Sequence, residues 1–127
     1  MCSIQTKLKN IGDYGCLCFC YLYVIGVPPE SLLENYEELI NRNIIDENCF
    51  VKDGYALCKY FLNKDVKIVF TSSDNHQFDK YISNFTYEGK NHFVVTDRDD
   101  KVIFNSLDHS VCVEKGKIVS KRVVVII

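Results

Sequence analysis

The pattern of this sequence changes at Val66. Before it, apolar residues recur at helical spacing; after it come short runs rich in β-branched and aromatic residues, separated by turn signals. Val66 to Thr71, Tyr81 to Tyr87, His92 to Thr96, Lys101 to Ser106, Ser110 to Glu114 and Ile118 to Ile127 read as strands. Asp97-Arg98-Asp99-Asp100 and Glu114-Lys115-Gly116-Lys117 read as hairpin turns. The connections are too short for the crossover helices that parallel strands require, which argues against a doubly wound α/β fold. Helices first and an antiparallel sheet afterwards define an α+β domain.

Three helices are expected ahead of that sheet. Tyr14 to Ile25 is apolar all round and closed by Gly26 and Pro28-Pro29, the signature of a buried central helix with a sharp stop. A second begins near Pro29 or Ser31, where Leu32, Leu33, Tyr36, Leu39 and Ile40 recur at spacings of three and four while Glu34, Glu37 and Glu38 point away, the pattern of a covering helix. Asp53 to Leu62 reads as a third, with Asp53 as its N-cap. No repeat, low-complexity tract or linker interrupts the chain, so residues 1–127 form one domain, long enough to hide roughly two thirds of its unfolded surface.

The charge balance narrows the range of partners. Fifteen basic residues are scattered among 17 acidic ones, for a formal charge of -2, which leaves no basic footprint for a nucleic-acid backbone. Met1 to Asn10 carries lysines but no apolar leader, and no run reaches the ~20 apolar residues that span a bilayer. A cytoplasmic protein that engages neither nucleic acid nor membrane is expected. Seven cysteines, an odd number with three crowded at Cys16, Cys18 and Cys20, favour free thiols in a reducing compartment over a disulfide framework. Cys18, Cys58 and Cys112 read as small core residues. Neither a CxxC nor an HxxxH pair is present, and only Cys16 and Cys20 share a helix face, so no metal site and no cofactor are expected.

Cys16 stands apart from the other thiols. It follows Gly15 where the first helix opens, and free N–H groups together with the helix dipole favour an anion there. Its own backbone N–H can face a developing oxyanion, and Gly15 allows a tight approach of chain to substrate. Cys20, one turn further, lies deeper in the apolar run, a poor place for a thiolate. The plain alternative for Cys16 is one more buried thiol.

A thiol nucleophile needs a base, and the base an orienter. His92 opens a strand after the polar Glu88-Gly89-Lys90-Asn91, which places its ring near a sheet edge; His76 and His109 fall in polar loops and read as surface residues. If Asp97 to Asp100 is the turn, Thr96 faces Lys101 and His92 faces Asn105, with Cβ atoms within about 5.5 Å. A one-residue slip would break that pairing. Asp108, just beyond the strand, is the alternative orienter, and Asp97 belongs to the turn.

Gly15-Cys16 opening a central helix, Asn91-His92-Phe93-Val94-Val95 on one strand and Val102-Ile103-Phe104-Asn105-Ser106 on the next resemble the papain-like cysteine peptidase superfamily, most of all its small bacterial and phage C39-type domains. Asp53-Gly54-Tyr55 opening a third helix is similar to several phage-type domains of that group. The resemblance implies a papain-like fold, a Cys16 nucleophile, a His92 general base and acid, and an Asn105 orienter. It also implies a peptide, isopeptide or other amide substrate, with relatives among spirochaete plasmid or prophage proteins. Many of these families place an oxyanion-donating glutamine six residues before the cysteine, where this chain has Asn10. The alternative function is a catalytically inactive binding module of the same fold.

Overall fold

The computed structural model describes residues 11, 15–107 and 110–127. Among these, three helices come first: α1 (Cys16–Ile25), α2 (Glu30–Asn41) and α3 (Gly54–Leu62). They are followed by β1 (Val66–Thr71), β2 (Lys80–Tyr87), β3 (Lys90–Asp97), β4 (Val102–Phe104), a short helix α4 (Val111–Lys115) and β5 (Lys117–Ile126). The strands form one five-stranded sheet in the order β1-β5-β2-β3-β4, with every pair antiparallel. The architecture is α+β, as the change of pattern at Val66 implies.

The element ends follow from local chemistry. Gly26 takes φ +78, and the Gly26 and Val27 N–H groups return to the Tyr23 and Leu22 carbonyls at 3.2 and 2.9 Å. This paired closure needs a left-handed residue, which glycine adopts without steric cost. Asp53 is extended and accepts the Ala56 N–H at 3.0 Å, the N-cap bond expected of it. Between β2 and β3 the chain reverses through Glu88 and Gly89, both with positive φ (49 and 77), which is the two-residue turn whose twist matches the flanking strands.

The two faces of the sheet are covered differently. Val66, Ile68, Ile82 and Val95 pack with Cys18, Leu22 and Ile25 of α1, Leu32 and Leu39 of α2, and Leu57 and Cys58 of α3. α1 also buries Cys20 and Tyr21, more than one stripe of its surface, because sheet and helices enclose it. α2 buries Leu32, Tyr36 and Leu39 and turns its glutamates outward. On the opposite face, Phe85 and Val94 pack under Cys112 of α4.

Ser110 to Glu114 is therefore not a strand: Val111–Lys115 is helical. Its alternating valines mimic a half-buried strand, yet only Cys112 is buried and Val111 is 40% exposed. Pairing with a neighbour would require a full alternating face; a single anchor residue is satisfied by one helical turn. Glu114-Lys115-Gly116-Lys117 is consequently the exit of α4 into β5 rather than a hairpin turn, with the Gly116 N–H on the Cys112 carbonyl at 2.9 Å. β4 is also shorter than the expected Lys101 to Ser106.

A polar cluster fixes the β3–β4 turn. Lys121 of β5 is 1% exposed, and its Nζ donates to the Asn75 carbonyl at 2.7 Å and to Asp100 Oδ1 at 2.6 Å, above the Tyr81 ring. Asp97 Oδ1 accepts the Asp99 and Lys101 N–H groups at 2.9 and 3.0 Å, so this carboxylate is committed to the turn, as expected. His76 is half exposed beside the Arg98 carbonyl. Among the described residues no single helix is long and apolar enough to cross a membrane.

Candidate active site

Cys16 is the first residue of α1 and is half-buried. The entry into the helix is tight: the Gly15 N–H donates to the Ile11 carbonyl at 2.9 Å, and an added Cβ at Gly15 would sit 2.5 Å from that oxygen. Glycine is needed here for the approach of one backbone to another, in addition to any approach of a substrate.

β4 pairs with β3 only at Val95↔Phe104 and Thr96↔Val102. Beyond that short ladder the outer edge of β3 meets the start of α1, and the Phe93 N–H donates to the Cys16 sulfur. Cys16 also shares a hydrogen bond with the His92 ring. His92, 5% exposed, presents its Nε2 to Asn105 Oδ1 at 2.7 Å. Asn105 Oδ1 accepts a second bond, from the Leu107 N–H at 3.0 Å. That bond fixes the amide, because turning it over would set an NH2 group against a backbone donor. With Oδ1 as the acceptor, His92 Nε2 carries a proton, which leaves Nδ1 for the thiol.

The register that produces this contact differs from the expected one. Thr96 pairs with Val102 rather than Lys101, and an irregularity between Val95 and Thr96 shifts the ladder by one residue more. Two such displacements preserve the alternation of faces, whereas one would have turned Asn105 away from His92. Asn105 reaches the ring from just past the end of β4.

The electrostatics separate Cys16 from the other cysteines. Burial alone raises its thiol pKa, but the His92 hydrogen bond, the Phe93 N–H, the His92 charge and the Leu17 N–H outweigh burial and hold the thiol below its ordinary value. His92 shifts in the complementary direction: burial lowers it, while hydrogen bonds with Cys16 and Asn105 and the Cys16 charge raise it above the ordinary imidazole value. Each group therefore favours the charged form of the other. Elsewhere the thiols move upward. Contact with Cys49, then burial, raises Cys18; burial, then the nearby Cys16, raises Cys20; and burial pushes Cys58 up to about 11.

Cys16, His92 and Asn105 thus converge as the sequence pattern anticipates. Cys18, Cys58 and Cys112 are buried as small core residues. Asn10, the expected oxyanion donor, and Asp108, the alternative orienter, lie outside the described residues, as does His109. The Phe93 and Leu107 N–H donors carry no residue-type signal; only the strand edge and the turn after Asn105 create them. Among the described residues no three acidic, histidine or cysteine side chains converge as metal ligands. Surface depressions between α2 and α3, and between the end of α1 and β5, include none of the three site residues.

Compared with models of protein families, with curated proteins and with solved structures, the chain matches none.

Proposed function

We propose that this protein is a cysteine hydrolase of the papain-like type that cleaves a peptide or other amide bond through Cys16, His92 and Asn105. The observation that carries this reading is the unbroken hydrogen-bonded chain from Asn105 through His92 to a thiol held below its ordinary pKa at a helix start. The order of parts supports a papain-like arrangement: a cysteine opening the enclosed helix, a histidine on a strand, and an asparagine after the next strand.

The chemistry follows from that geometry. The Cys16 thiolate forms a bond from Sγ to the amide carbonyl carbon, and the carbonyl π pair moves onto oxygen. As the tetrahedral intermediate collapses, the C–N bond breaks and the proton on His92 Nδ1 goes to the leaving amine. Water then attacks the thioester while Nδ1 takes its proton; the C–S bond breaks, acid is released, and thiolate and imidazolium are restored. Asn105 holds Nε2–H throughout and keeps the ring in position. The oxyanion is assigned to the Cys16 N–H, at the start of α1, and to Asn10.

Incubation with a p-nitrophenyl acyl ester followed by intact-mass and peptide mapping tests this directly. The expected result is one acyl adduct, on Cys16, that decays by hydrolysis. In His92→Ala its formation slows by about 10²–10⁴-fold, the usual worth of a general acid–base. An adduct spread over lysines and other thiols, or none, overturns the hydrolase reading and leaves a binding module of the same architecture.

A further inference from the structure

Asn84 lies next to this site and has a buried side-chain oxygen, Oδ1, with no hydrogen-bond partner among the described residues. Its position is set by the sheet. On β2 it stands directly opposite Phe93, whose N–H meets the Cys16 sulfur, and on its other side it faces Ser120 of β5. The ladder between β2 and β5 is irregular immediately after it, between Asn84 and Phe85, and such bulges re-aim side chains beside active sites. Its Nδ2 makes only a long contact, 3.4 Å, to Asn91 Oδ1.

Arg122 shares this face. It pairs with Ile82, two residues from Asn84, so Arg122 and Asn84 are diagonal neighbours with Cα atoms roughly 7–8 Å apart. Its guanidinium lies over the Phe93 and Phe70 rings at 5.1 and 4.8 Å and donates to Tyr21 Oη at 3.1 Å. That uses one of five N–H donors, and no carboxylate among the described residues pairs with it. A carbonyl oxygen lacking a donor and a cation with donors to spare therefore share one sheet face with the Phe93 ring, on the residue whose N–H meets the Cys16 sulfur.

We propose that Asn84 and Arg122 form a subsite that reads a side-chain carboxamide, glutamine or asparagine, on a residue flanking the scissile bond. The carboxamide N–H donates to Asn84 Oδ1, its carbonyl accepts from Arg122, and its methylene stem rests on Phe93. Other side chains satisfy less of the site. A carboxylate offers Asn84 no proton; a lysine or arginine meets the Arg122 charge; an aliphatic side chain leaves Asn84 Oδ1 buried without a donor. The proposal rests on the amide-hydrolase reading of Cys16.

Two measurements on the full chain separate that reading from the subsite. In a positional library of N-acetyl tetrapeptide aminomethylcoumarins, wild type is expected to favour glutamine or asparagine over leucine and methionine by about tenfold at one position, and Asn84→Leu to reverse that order. Equal rates for amide and aliphatic peptides, a serine or threonine preference, or a profile unchanged in Asn84→Leu overturns the subsite while the hydrolase stands. In Cys16→Ser, which needs no turnover, millimolar N-acetyl-glutamine methylamide should shift the Asn84 side-chain NH2 resonances in a ¹⁵N spectrum, and N-acetyl-leucine methylamide should not. Equal or absent shifts overturn the subsite whatever the library shows. A selective shift with no cleavage of any peptide overturns the hydrolase and leaves a carboxamide-binding site.

Discussion

At the scale of single residues, the chemistry at Cys16 depends on hydrogen bonds that begin at the Leu107 N–H and pass through Asn105 and His92. Asn105→Ala removes the acceptor that stabilises the imidazolium, so the Cys16 thiol should titrate at higher pH and acylation should slow by about tenfold for each unit by which the raised thiol pKa exceeds the assay pH. Asn105→Asp keeps the acceptor and adds a negative charge, so its titration should lie at or below that of wild type. Thiol absorbance against pH checks both variants; a titration indifferent to position 105 would reduce Asn105 to a structural role. Much of this was legible in the sequence, because Gly15-Cys16, a strand-edge histidine and an asparagine on the next segment are residue-type signals. The donors supplied by Phe93 and Leu107 were not, since every residue but proline carries the same N–H.

At the scale of elements, the β3–β4 turn is held by a residue from the far end of the chain. Lys121 is buried with its side chain 0% exposed, and its carboxylate partner Asp100 is 35% exposed. Asp100→Ala leaves a cation in the interior without its counter-ion, an expected loss of about 3 kcal/mol. Lys121→Met strands only a carboxylate that water can reach, and should cost less. Urea unfolding of the two variants tests the order, and a larger loss for Lys121→Met would contradict it. Legibility at this scale followed pattern length. α1, α2 and α3 were recognisable because their apolar spacing persists over several turns and ends at Gly26 or begins at Asp53. α4 was not, because five residues with alternating valines fit a strand as well as a helix, and only the packing of Cys112 on Phe85 and Val94 decides between them.

At the scale of the whole molecule, an α+β arrangement could be read from the order of patterns, but the order of strands could not. The hairpin signal at Asp97 to Asp100 reveals β3 and β4 as neighbours; nothing local states that β5 inserts between β1 and β2. The consequence for the site is that β4 becomes the outer strand beside β3. It is too short to pair the whole of β3, and the start of α1 meets the edge it leaves, bringing Cys16 to Phe93 and His92. The central claim is that this meeting activates one thiol. Its most direct test is the rate of iodoacetamide alkylation of Cys16 and Cys58 against pH, in wild type and His92→Ala. Since the folded environment lowers the Cys16 pKa and raises that of Cys58 to about 11, Cys16 should react well below the pH at which Cys58 does. Loss of His92 removes a hydrogen bond and a charge while burial remains, so the Cys16 midpoint should move up. Equal reactivity of the two thiols at pH about 6, a value far below that of an unperturbed cysteine, together with no response to His92→Ala, would contradict the account.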